Sequence, residues 1–193
     1  MIDVTNPFEI IHRKESKYCG TCRAILVGIN YTGKHRQQGL LSGCHNDVQC
    51  MKEYLIHQKG FKCNNITVLM DDGCHRRPTY KNILDSYRDI VSITKAGDSV
   101  FCHYSGHGGT VRDKREDEND GYLVETLIPV DFQTAGQITN DELFRDLVQP
   151  MPKHSLLFCL FDCCHSRTGK CHVPRKVQRS IELKISLYYH WSL

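Results

Sequence analysis

At 193 residues the chain is long enough for one domain that buries roughly two thirds of the surface its unfolded form exposes, so a core forms without disulfide staples. The net charge of +3 is uneven, because the stretch from Arg167 onward holds six Lys/Arg against one Glu and the rest is mildly acidic; this excludes a general nucleic-acid-binding surface as the reading of the charge. Eleven cysteines, an odd number, behind an N-terminus with no apolar leader predict reduced thiols in a cytoplasmic protein, and no apolar run approaches a membrane span.

In chain order, residues 1–22 are polar and mixed. "RAILVGIN" is a compact apolar run that predicts a buried strand, ended by Asn30 and the turn-rich "YTGKHRQQG". In "CHNDVQCMKEYLIHQKG" the residues Val48, Met51, Tyr54 and Leu55 recur at helical spacing up to Gly60. "ITVLMDD" predicts a second strand, and after Pro78 the series Tyr80, Ile83, Leu84, Tyr87, Ile90 and Val91 predicts a second helix. "DSVFCHYSGHGG" reads as a third strand that breaks into a glycine-rich loop. Beyond the charged "VRDKREDENDG" come a short apolar piece, "YLVETLIPVD", a capped helix in "TNDELFRDLVQPM", and a fourth strand over 155–162. Strands alternating with helices predict an α/β fold with a mostly parallel sheet flanked by helices.

In open sheets of this kind ligands bind beyond the carboxyl ends of the strands. Two predicted strands deliver reactive groups there, the third at "HYSGHGG" and the fourth at "FDCCHS". A cysteine becomes a useful nucleophile when a neighbouring imidazole takes its proton or stabilises its thiolate, which points to His107 and Cys164 and to acyl transfer. The backbone N–H groups of Gly108 and Cys164 are candidates for an oxyanion hole. Side chains alternate along a strand, so Asp162 and Cys164 share one side and Cys163 lies on the other. Two lesser readings compete. One is that the cysteines are inert buried thiols, the other that His103, His107, Cys163, Cys164 and His165 include zinc ligands; no CxxC spacing is present among them, and His103 and His107 span a glycine-rich stretch rather than a helix as in HExxH sites. The Cys19–Cys22 pair precedes a strand and reads as an ordinary reduced pair.

From Arg23 to about Ser166 the segments "RAILVGINY", "LSGCHNDV", "FCHYSGHGG", "LIPVDF", "ITNDEL" and "LFDCCHS" stand in the order found in metacaspases, and the chain resembles that caspase-like cysteine peptidase family. The resemblance implies a caspase-like fold, His107 and Cys164 as the catalytic dyad, and an endopeptidase acting on protein or peptide substrates after Arg or Lys. It further implies an acidic substrate pocket at Cys44, Asp47, Ser105 and Asp162, where carboxylates need a cationic partner. Calcium, the usual activator in the family, would be held at Asp120, Asn140 and Asp141. Asn140 is neutral where the family commonly has aspartate, and Cys171 stands where a fourth ligand is expected, so the calcium site is weak and incomplete and no cofactor is required.

The resemblance divides the chain into an N-terminal extension (1–22), a partial catalytic domain (23–166) and a basic tail (167–193). After Ser166 only 27 residues remain, which predicts a sheet left incomplete at its C-terminal side. In the tail, Ile181, Leu183, Ile185, Leu187, Tyr189, Trp191 and Leu193 alternate with more polar residues, predicting a strand with one buried face. An incomplete sheet also admits a different class of function, a catalytically silent caspase-like module that associates with partners through its exposed sheet edge.

Overall fold

The structure is a computed structural model that describes residues 20–32, 39–112, 123–164 and 182–188, except the side chains of Cys164 and of 182–188. The N-terminal residues with Cys19, the charged stretch with Asp120, and His165, Ser166 and Cys171 lie outside the described residues.

Strand β1 (Cys22–Gly28) is followed by helix α1 (Cys44–His57), β2 (Ile66–Met70), α2 (Tyr80–Ile93) and the long β3 (Ser99–Arg112). After these come β4 (Leu123–Leu127), the single turn α3 (Phe132–Ala135), the two-residue β5 (Ile138–Thr139), α4 (Asn140–Leu143), β6 (Leu156–Cys164) and β7 (Glu182–Tyr188). Strands β2, β1, β3, β6 and β7 pair in that order, all parallel, while β4 and β5 add antiparallel pairings at the far end of β3. The predicted α/β architecture is therefore present, and the tail segment forms a strand beside β6.

The apolar runs become central strands because both sheet faces are covered. On one face Ala24, Leu26, Phe101, Phe158 and Leu160 pack with Val48 and Leu55 of α1. On the other, Ile25, Val27, Cys102, Tyr104, Cys159 and Phe161 pack with Ile83, Leu84, Tyr87 and Ile90 of α2. Each fully buried side chain of this size contributes about 1.5–3 kcal/mol relative to exposure. Gly28 sets how closely α1 approaches: a Cβ there would lie 2.7 Å from both the Cys44 carbonyl oxygen and Val48 Cγ2.

Helix α2 is started by Thr79, whose side chain accepts the Asn82 N–H. At α1 the preceding residue is Gly43, which offers no side-chain cap. The free Cys44 N–H is satisfied instead by Asn30 Oδ1 at 3.0 Å, so the exit of β1 caps the next helix.

Two expectations require correction. The third strand does not break into a glycine loop: β3 runs on to Arg112, and His107 lies within it. The reason is a change of partner. Up to Ser105 the strand pairs with β1, and from Gly108 it pairs with β4, so the glycine-rich segment is held in extended form by a second ladder. The helix predicted in "TNDELFRDLVQPM" is capped as expected, by a reciprocal Thr139–Glu142 box. It then widens into a π-helical turn over Phe144–Val148, where the Gln149 N–H bonds the Phe144 carbonyl. Within that turn the buried Asp146 is held by Arg88 and Arg145.

His103 is a polar residue inside the α1-side core. It is 3% exposed, its Nδ1 has no partner, and burial lowers its pKa to about 4, against a smaller opposing effect of Asp47. The neutral ring is therefore the folded form, while in the unfolded chain it protonates near 6.5. The sign follows: between pH 6.5 and 4 the unfolded state binds the extra proton, so stability falls as pH drops through that window and His103 adds no further loss below it. Fully titrated, the effect is on the order of 3 kcal/mol. Urea unfolding at pH 7, 5.5 and 4 should show this decline, and His103→Gln should flatten it; an unchanged slope in the variant would contradict the assignment.

Candidate active site

The parallel ladder between β3 and β6 places Ser105 opposite Asp162, Gly106 opposite Cys163, and His107 opposite Cys164. Two residues 57 positions apart in sequence are thus neighbours on adjacent strands. Cys163 packs against the α2-side core. His103 and Ser105 belong to the opposite, α1-side face, since Ser105 Oγ donates to Asp47 Oδ2 of α1 at 2.8 Å. Cys163 therefore faces away from the pocket residues.

All four predicted pocket residues come together. Cys44 and Asp47 stand in the first turn of α1, Ser105 on β3 and Asp162 on β6. The Cys44 thiol is pushed up mainly by burial, opposed by a hydrogen bond with Ser105, while the carboxylates of Asp47 and Asp162 add to the rise. A thiol held in its neutral form beside two carboxylates is a poor nucleophile. Cys159 is likewise held as a thiol, first by its hydrogen bond with Cys102 and then by burial. The cluster brings the carboxylates of Asp47 and Asp162 to bear on one buried thiol.

His107 is gripped on every side. Its Nε2 lies 3.1 Å from the Gly39 carbonyl oxygen, a group that only accepts, so Nε2 carries the proton and Nδ1 is the basic nitrogen. Its ring lies against that of Tyr31, with centroids 4.6 Å apart and planes at 33°. Its backbone N–H donates to the Tyr31 hydroxyl at 2.9 Å, and its carbonyl accepts from the Tyr104 hydroxyl at 2.8 Å. Gly106 makes the second bond possible, because a Cβ there would stand 2.8 Å from the Tyr104 hydroxyl oxygen.

The backbone ladder also orients position 108. Ser99 and Ser105 bond toward β1, Asp98 bonds toward β6, and the His107 carbonyl receives the Ile128 N–H that leads out of β4. Backbone groups alternate along a strand, so the Gly108 N–H is directed to the β6 side, just past Cys164.

Several contributors were not legible in the sequence. Tyr31, Tyr104, the Gly39 carbonyl and the Asp71–His45 pair (2.6 Å) reach the site through contacts between distant segments. The available signal was positional: Tyr31 and Asp71 both follow strand ends on the site edge.

Asn140 and Asp141 open α4, with Asp141 exposed, and Asp120 lies outside the described residues. The described donors amount to one carboxylate and one amide, short of the six to eight oxygens calcium takes. Among the described residues no three His, Cys, Asp or Glu side chains gather as a metal site, and no helix is long and apolar enough to cross a membrane.

The chain is similar to known proteins over most of its length. A family model of the metacaspase peptidase C14 domain matches residues 22–170. The chain is 48% identical to metacaspase III c of Phaeodactylum tricornutum, over 86% of this chain and 48% of that protein. It is 43% identical to metacaspase-1 of Schizosaccharomyces pombe, over 76% of this chain and 34% of that one. It therefore spans about a third to a half of the length of these relatives. Among solved structures, a Geobacter sulfurreducens protein superposes with a TM-score of 0.61 at 28% identity, over 77% of this chain and 52% of that one. By the match across most of its length and by its fold, the chain belongs to the metacaspase family of C14 peptidases.

Proposed function

We propose that the chain is the catalytic part of a cysteine endopeptidase that cleaves after Arg or Lys, with Cys164 as nucleophile and His107 as base. The single observation that carries this is the β3–β6 register, which pairs His107 with Cys164 and Ser105 with Asp162. With Nε2 committed to Gly39, Nδ1 of His107 accepts the Cys164 proton. The thiolate attacks the scissile carbonyl carbon, and the oxyanion that forms is met by the N–H groups of Gly108 and Cys164. The imidazolium then returns its proton to the leaving amine. Water, deprotonated by the same nitrogen, hydrolyses the thioester and frees the acid product. Strand alternation assigns position 164 to the face of Asp162, which supports Cys164 over Cys163.

The substrate cation would enter between Asp47 and Asp162, with the Ser105 hydroxyl orienting Asp47 and Cys44 lining the wall. Eleven cysteines, an odd number, suit a reducing, cytosolic setting. In the competing reading the module is silent and engages partners through an outer strand such as β7, which pairs only with β6 among the described residues. Turnover decides between them.

An alkylating probe that carries an Arg side chain should label Cys164 and leave Cys163 unmodified in peptide maps. Label that survives Cys164→Ala and disappears in Cys163→Ala would reverse the assignment. With fluorogenic peptides, hydrolysis after Arg should exceed hydrolysis after Asp, and Asp47→Asn or Asp162→Asn should each reduce kcat/KM for the Arg substrate by about 30-fold or more, as expected when a desolvated charge loses its partner. Equal cleavage of Arg and Asp peptides would eliminate the acidic pocket.

A further inference from the structure

Tyr31 has a backbone conformation that an aromatic residue rarely adopts. Its φ is +57°, in the left-handed region, although its side chain is buried to 1% exposure. Such an outlier persists only where its surroundings impose it. The surroundings here are one carboxylate. Asp71, at the end of β2, accepts the N–H of Asn30 on Oδ1 at 2.9 Å and the N–H of Thr32 on Oδ2 at 2.8 Å, so its two oxygens bracket Tyr31. The Thr32 hydroxyl donates to the Asp71 carbonyl at 2.6 Å, and His45 Nε2 contacts Oδ1 at 2.6 Å from the start of α1. Burial by itself would raise the Asp71 pKa, but the bonds from His45 and the two amides outweigh it and hold the group below the usual carboxylate range.

The bracketed tyrosine points at the base. Its hydroxyl donates to the Ile128 carbonyl at 2.8 Å and accepts the His107 N–H at 2.9 Å, and its ring lies along the His107 imidazole. One side chain thus fixes both the backbone and the ring of His107. An imidazole held in place beside a thiol favours its thiolate.

We propose that Tyr31 is a positioning residue for the dyad, held in a strained conformation by Asp71 and acting through His107 to keep its imidazole aligned with Cys164. This rests on the dyad reading given above. Asp71 and His45 belong to the same device, one as the clamp and the other as its outer tether.

The test is the pH dependence of Cys164 alkylation by iodoacetamide, read by peptide mapping, which needs neither substrate nor turnover. The full chain is compared with Tyr31→Phe, which retains the ring and loses only the hydroxyl, and with His107→Ala. The unmodified chain should show a thiolate titration that His107→Ala abolishes. In Tyr31→Phe that titration should move upward by about one pH unit, and kcat for an Arg peptide should fall about tenfold or more with KM changed less than twofold. A merely structural role would alter thermal stability and leave the alkylation profile in place. If Tyr31→Phe fails to fold, His45→Ala, a change at a partly exposed side chain, takes its place and should shift the profile in the same direction by a smaller amount. A His107-dependent profile that the folded variant leaves unmoved overturns the positioning role and spares the dyad. A profile that does not depend on His107 overturns the dyad, and the positioning role with it.

Discussion

The β3–β6 ladder is the constraint on which the rest of the site depends. Parallel pairing from Ser99–Leu156 to His107–Cys164 leaves no freedom in what faces what at the carboxyl end. A slip of one residue would exchange the faces of β6, moving Cys163 toward the pocket and Asp162 into the apolar layer. The register is protected by what lies upstream. Phe101 and Phe158 stack at 5.4 Å on one face, while Cys102 and Cys159 meet in the other core. The apolar half of each strand thus sets the alignment that the polar half uses.

Around that ladder, neighbouring elements satisfy one another's open groups. The exit of β1 caps α1 through Asn30, the end of β2 holds that exit through Asp71, and α1 returns Asp47 to Ser105 on β3. Each bond is modest alone, and buried groups left without such partners would cost more than the bonds contribute. The network also explains how carboxylates remain close to an apolar layer, since Asp71 and Asp47 both have hydrogen-bond donors at hand. His103 lacks one at Nδ1 and stays neutral.

Much of this was legible in the residues. Compact apolar runs and helical spacing located β1, β2, α1, α2 and β6, and period-two alternation located β7. Strand alternation separated Cys163 from Asp162 before any fold was known. The course of β3 was not legible, because glycines in a strand and glycines in a loop read alike until a second partner is seen, and that partner, β4, comes after a charged loop. Tyr31 was hidden for a related reason. A residue after a strand end reads as a turn, and its reach to His107 depends on a bracket supplied by Asp71, 40 positions later. Hydrogen bonds across such separations leave no local period.

Gly28 sets how far α1 stands from the sheet at the edge where the strands end. Helix α1 carries Cys44 and Asp47 on its first turn, and that turn rests on β1 where Gly28 presents only hydrogen. A single methyl group there would push the first turn of α1 off the strand, and Cys44 and Asp47 with it. In the proposed acidic pocket, the span between Asp47 and Asp162, and so the size of cation held between them, would be gauged by the thickness of one missing side chain on the strand beneath.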